Sequence, residues 1–368
     1  MCGFFRFHGW SMEADVPDWS PSMTIKSLLL GSAAALAAVS GAQAADAIIA
    51  AEPEPMEYVR VCDAFGTGYF YIPGTETCLK IGGYIRFQVD FGEGAHEGNG
   101  DDWDAWTRGR VTFTSKSDTE LGELTGFIAL HGDASEDIGG GATDFYVEEA
   151  YLQLGGFKAG TYLNWWDAND LPGELDALGS NRLTSIAYIY TGDAFTAGIQ
   201  LDELTNEEFD GTFNLDGEPN IGGGQNFGLE AVVQAALGPA ALEVLGSYDF
   251  GNEDGAVRAI ASADLGPGTF YLAGVYSSGY NVYYGGAQWT VAAAYAWKAT
   301  EKLEVIPEFQ YFWDTELEAD GDFTGEDFWA AGVTVNYAIT EGLTSKVAVA
   351  YDDSAEDWLG IVRLQRDF

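Results

Sequence analysis

From residue 79 to the end of the chain, hydrophobic and polar side chains take turns. Leu79, Ile81, Gly83, Ile85, Phe87, Val89 and Phe91 share one face, and Lys80, Gly82, Tyr84, Arg86, Gln88 and Asp90 share the other. A period of two held this long describes a strand with two unlike faces. The same texture predicts further strands at about 105–116, 122–132, 144–155, 157–164, 182–192 and 194–204. The second half adds 226–238, 240–250, 256–265, 269–278, 287–298, 302–313, 327–339, 343–352 and 358–368, sixteen in all.

The connectors alternate as well. One set is tight and rich in turn residues: Gly155-Gly156, Gly192-Asp193, Gly238-Pro239, Gly266-Pro267-Gly268 and Thr340-Glu341-Gly342. Glycine supplies positive φ there and proline a fixed one. The other set, including 92–104, 133–143, 165–181, 205–225, 279–286 and 314–326, is mostly longer and acidic. Tight turns at one end and long loops at the other are the pattern of an up-and-down membrane barrel. A soluble sandwich does not sort its connectors this way, and its strands are shorter.

Sixteen strands in a ring cannot fill their interior with side chains, so the lumen is expected to hold water. Polar faces then point inward and apolar faces meet lipid. Closure also satisfies every backbone group, as hydrocarbon demands. Aromatic residues gather at strand ends, among them Phe250, Trp297, Trp313, Trp329, Tyr351 and Trp358, as interfacial girdles require. The predicted fold is therefore an all-β, sixteen-stranded antiparallel transmembrane barrel over 79–368.

No apolar run is long enough for a spanning helix, which needs about twenty residues. The longest, Leu28 to Val39, follows Lys26 and precedes Gly41-Ala42-Gln43-Ala44. A basic start, a short apolar middle and a small-x-small end make 23–44 a secretory signal peptide, cut after Ala44. Residues 1–22 carry acidic Glu13, Asp15 and Asp18, the wrong sign for the start of a signal, so they read as a mis-assigned upstream extension before Met23. Export leaves Cys62 and Cys78 as an even pair in an oxidising compartment, and a disulfide between them is expected to close the loop in the segment 45–78. Two cysteines without a nearby histidine do not make a metal site.

Charge narrows the function. With 16 Lys and Arg against 58 Asp and Glu, the formal net charge is −42. That excludes a nucleic-acid binder, which needs clustered bases. An enzyme needs a nucleophile and a base in reach, but exported histidines number only His96 and His131, and no hydrolase motif occurs. No cofactor is implied.

The runs Tyr58-Val59-Arg60-Val61-Cys62-Asp63, Tyr71 to Tyr84 (YIPGTETCLKIGGY) and the terminal Arg363-Leu364-Gln365-Arg366-Asp367-Phe368 together resemble the alphaproteobacterial porin family. The likeness implies an outer-membrane porin, a homotrimer, that passes small hydrophilic solutes and ions by diffusion. It also implies a third loop folded into the channel. Phe368, with Leu364, Val362, Gly360 and Trp358 in the outward phase, looks like the strand read by the outer-membrane assembly machinery, and Arg366 departs from that pattern. Loop 165–181 lacks the Pro-Glu-Phe-Gly sequence of enterobacterial porins.

Six cations fall on the inward phase of strands that adjoin once the ring closes: Lys80, Arg86, Arg108, Arg110, Lys346 and Arg363. Arg86, Arg110 and Arg363 are expected near mid-height, with Lys80 and Lys346 lower. The third loop carries Asp167, Asp170, Glu174 and Asp176. An acidic loop facing a basic wall would set a field across a constriction, a common selectivity device. Local neutralisation of surplus carboxylates, such as Asp90 or Glu149, competes with that role for the arginines. Trp165 and Trp166 either pack the loop or offer a sugar-stacking surface. The acidic surplus predicts mild cation preference. Loop 314–326 is expected to be solvated, with lipopolysaccharide phosphates and divalent cations as the alternative partners. A substrate-specific channel is the rival reading, opposed by the scatter of inward aromatics Tyr84, Tyr162, Tyr271 and Phe312. An adhesin would need a plugged lumen.

Overall fold

A computed structural model describes residues 59–92, 103–134, 145–168, 170–175, 178–205, 209–213 and 219–368. The proposed leader segments 1–22 and 23–44 lie outside the described residues. Sixteen strands form one closed antiparallel ring: β1 Cys78–Phe91, β2 Trp103–Thr119, β3 Gly122–Ala134, β4 Phe145–Leu154, β5 Phe157–Leu163, β6 Arg182–Thr191, β7 Phe195–Glu203, β8 Phe227–Ala236, β9 Ala240–Asp249, β10 Asp254–Leu265, β11 Gly268–Ser277, β12 Trp289–Lys298, β13 Leu303–Trp313, β14 Phe328–Thr340, β15 Leu343–Asp352 and β16 Asp357–Asp367. Each strand pairs with its neighbour in sequence. β16 returns to β1, running from Tyr84 opposite Asp367 to Phe91 opposite Gly360. The predicted strands match these in number and order, and their ends differ by a few residues.

The ring closes through the last residue. Phe368 exchanges both backbone hydrogen bonds with Gly83, at 3.0 and 3.1 Å. Gly83 has φ +150, and a Cβ there would run into the Arg110 carbonyl. Only glycine lets β1 pass that close to β2 while receiving the chain end on its other side.

The burial pattern inverts that of a water-soluble protein. On β8, apolar Leu229 and Val233 are 37% and 52% exposed, while Glu230 is 0% exposed. Ile85 and Phe87 on β1 and Trp289 on β12 face outward in the same way, while Gln88 and Thr290 are buried. Such a surface is stable only against hydrocarbon. Girdle aromatics pack side by side on it, Trp329 tilted against Tyr351 and Tyr351 edge-on to Trp358, both pairs with ring centroids 5.5 Å apart.

The lumen is not polar all round. Val232, Leu245, Ile260 and Ile306 lie in the inward phase of β8, β9, β10 and β13 and are buried together with Trp166, Leu171 and Leu178 of the third loop. Tyr283 and Tyr284, from the connection between β11 and β12, complete this core. The expectation of a polar interior therefore needs correction on this side: these apolar residues form a seat for the loops among inward polar side chains such as Glu230, Glu243 and Gln310.

At the short-turn end, Cys62 and Cys78 form the expected disulfide. The hairpin between them pairs Phe70–Tyr71 with β1 and packs Phe65 and Tyr69 on the disulfide. Lys80 and Lys116, inward on β1 and β2, lie 5.9 Å from the Tyr69 and Phe65 rings respectively.

Candidate functional site: the loop-spanned lumen

Asn164 starts the third loop. Its side-chain carbonyl accepts the Trp166 N–H at 3.1 Å, opening a single turn, α1 Trp165–Ala168. This turn drives Trp166 into the apolar seat, where it is 0% exposed and stacks on Tyr284. A buried ring cannot meet a passing sugar, so packing is the role of Trp166. The Asn181 side chain donates to the Val282 carbonyl at 2.8 Å, tying the loop's exit to the β11–β12 connection.

Arg258 of β10 holds the loop down. Its guanidinium is fully buried and donates to the carbonyls of Trp166 at 2.6 Å, Trp165 at 2.7 Å and Leu178 at 3.3 Å. It also meets Glu243 at 3.2 Å and Asp170 at 3.4 Å, and its charge lies over the Trp166 ring. Sequence reading passed over this residue. The available signal was a lone cation in the inward phase of a strand flanked by apolar inward residues.

From there the chain crosses the barrel. The amides of Glu174 and Leu175 donate to the Glu308 carboxylate of β13 at 2.9 and 2.8 Å, and Gln310 donates to the Leu175 carbonyl at 2.6 Å. Gly173, with φ +118, lies where a Cβ would strike Glu308. At the far wall the Glu174 carboxylate receives two bonds from Arg363, at 3.0 and 3.1 Å, and one from Lys346. A forked contact of this kind fixes position as well as charge.

The predicted residues thus divide. Glu174, Arg363 and Lys346 meet directly. Lys346 stands opposite Arg363 in the strand register, and both reach Glu174. Arg86 pairs in register with Arg108 and donates through Nε to Gln365 at 2.8 Å. Arg108 forks onto Asp133 at 2.7 Å, and Arg110 bridges Glu148 and Glu149. His131 adds contacts to Asp133 and Glu148. Lys80 sits apart, at the mouth beside the disulfide hairpin. Asp170 reaches Arg258, and Asp167 accepts from Ser180, so both secure the loop. Asp176 lies outside the described residues. Arg182 stacks over Tyr146. Tyr162 belongs to a patch with Phe127, Tyr151 and Lys158 rather than standing alone.

Comparison with known proteins agrees with this architecture. A family profile described as "Porin subfamily" matches residues 46–365. A putative outer membrane protein of Sinorhizobium fredii is 49% identical over 94% of this chain and 99% of its own length. Outer membrane protein IIIA of Rhizobium leguminosarum is 48% identical over 90% of each chain. The porin Omp2a of Brucella suis is 37% identical over 94% of this chain and 100% of its own. Among solved structures, the outer membrane channel DcaP of Acinetobacter baumannii superposes with a TM-score of 0.61 at 13% identity, covering 81% of this chain and 99% of that one. A mutant of the Rh. blastica porin gives 0.56 at 14% identity, covering 79% and 100%. At such identities the likeness speaks for the fold.

Proposed function

Since this chain belongs to the porin family of alphaproteobacteria and forms an outer-membrane channel, we propose that it passes small hydrophilic solutes and ions by passive diffusion, with selectivity set where the third loop crosses the lumen. The observation that carries this is the contact of Glu174 with Arg363 and Lys346, which takes the loop across to the opposite wall. The open part of the bore is then bounded by the loop on one side and by β16, β1, β2 and β3 on the other.

In this reading Arg86, Arg108, Arg110, Arg363 and Lys346 form the basic wall of the constriction, and Lys80 tunes the periplasmic mouth. Asp167, Asp170 and Glu174 form the acidic rim of the loop, and Asp176, outside the described residues, is assigned to the same set from the sequence alone. Most of these charges are paired, so the field arises from fixed, oriented ion pairs rather than from two bare walls. Dipolar water and solutes gain from aligning with it, while apolar molecules lose hydration. The net charge of −42 concentrates cations at the entrances and favours a mild cation preference.

The working unit is proposed to be a homotrimer in outer-membrane lipid and lipopolysaccharide, exported by the 23–44 signal and inserted by the assembly machinery through its Phe368-terminated strand. Residues 45–78 are proposed to serve as a periplasmic-side segment. Planar-bilayer recording of purified protein tests the central reading. Ohmic conductance closing in three equal steps is expected, and a protein without conductance would overturn it.

A further inference from the structure

Beneath the third loop, on the side of the short turns, Arg86, Lys298, Lys302, Lys346 and Arg363 line one cavity of about 530 Å³. The whole chain has 16 Lys and Arg against 58 Asp and Glu. Five of those cations therefore converge on one space in a protein that is otherwise strongly acidic. Among the described residues, Glu301 and Glu304 are the acids that line the same cavity. Glu304 accepts from Asn336 at 3.0 Å and stands opposite Lys298 in the register. Lys302 donates to the Ile339 carbonyl at 3.2 Å. Lys346 and Arg363 hold Glu174 at the roof.

Arg86 differs from its neighbours. Its Nε is taken by Gln365, and its guanidinium lies 4.8 Å from the Tyr84 ring centre. Among the described residues it meets no carboxylate. Its planar fork is thus held in place on two sides, half-buried, with its terminal nitrogens left to donate into the cavity. A fixed guanidinium fork matches two oxygens of an oxyanion. The low-dielectric wall and the surrounding cations strengthen that attraction relative to open water.

We propose that this cavity is a binding site for a small oxyanion, a phosphate or a carboxylate, seated on Arg86 and reached from the periplasmic side. The proposal rests on the channel reading for access to the cavity. An anion entering from the periplasm meets a net-positive chamber before the loop, whereas one entering from outside must first cross acidic loops. Binding is therefore side-dependent.

The test is single-channel recording with inorganic phosphate or succinate added to one side, at constant ionic strength against chloride. Saturable reduction of current from the periplasmic side by either probe is expected, and the more effective probe identifies the class of oxyanion. Arg86→Gln should weaken the apparent affinity about tenfold, the worth of one charge-assisted bond. Lys302→Gln, at the mouth of the cavity, should weaken it less and carries the test if the Arg86 variant does not assemble. Equal effects of phosphate, succinate and chloride from both sides would overturn the site, as would undiminished affinity in both variants. A protein that conducts nothing overturns the channel reading instead. The site is then judged by calorimetric titration of phosphate onto the folded barrel, where absence of binding overturns it.

Discussion

Glu174 and Arg258 grip the same loop by different chemistry. Glu174 is partly hydrated and holds two cations, so replacing it with Gln keeps the shape and removes the attraction. Glu174→Gln is expected to raise single-channel conductance and current noise and to move the reversal potential in a salt gradient toward anions. An unchanged trace would mean that Glu308 and Gln310 alone hold the loop tip. Arg258 is buried and satisfies three carbonyls and two carboxylates at once. Removing one partner from such an arrangement strands the others, at about 3 kcal/mol or more. Arg258→Ala should therefore release the loop without opening the ring. Expected signs are increased proteolysis within 165–181 and a wider conductance distribution, while the sheet signal in circular dichroism persists.

Among the elements, the seam between β16 and β1 and the disulfide hairpin are the places where single changes act locally. Gly83 receives the chain terminus in a conformation and a space closed to other residues. Gly83→Val should slow or abolish assembly of the heat-resistant barrel on unheated gels. Gly82→Ala faces only ordinary to slightly tight contacts with Thr112 and the Phe368 carbonyl and should be far milder. Closure of the Cys62–Cys78 loop is worth about 3 kcal/mol in chain entropy. Because that loop packs on its own small cluster, reduction should expose residues 63–77 to protease while leaving β1–β16 intact. Loss of the whole barrel on reduction would show that the hairpin also braces the wall. The strands themselves were legible because alternation over ten residues or more has few readings. The inward folding of the β11–β12 connection was not. Tyr283 and Tyr284 look like ordinary loop aromatics until the third loop is in place beneath them.

For the whole molecule, the acidic surplus acts through long-range potential, and salt screens it. The Debye length falls from about 30 Å at 0.01 M to about 3 Å at 1 M. Cation preference measured by reversal potential should accordingly be largest in dilute salt and nearly vanish at molar salt. A preference independent of salt would locate selectivity in the paired charges of the constriction instead. The inverted surface, with apolar Ile85, Phe87 and Val233 exposed and Glu230 buried, also predicts aggregation on detergent removal.

Taken alone, the sequence determined the number and order of the strands, which face of each meets lipid, and the disulfide. All of these follow from local periodicity or from neighbours fixed by ring closure. Tertiary structure decided which charges touch. Glu174 finds Arg363 and Lys346 only because the loop runs across an apolar seat made by Val232, Leu245, Ile260 and Ile306, four residues on four strands. Their common purpose is invisible until the sheet curls. A loop's path is set by packing against distant strands, and no periodicity within the loop itself encodes it.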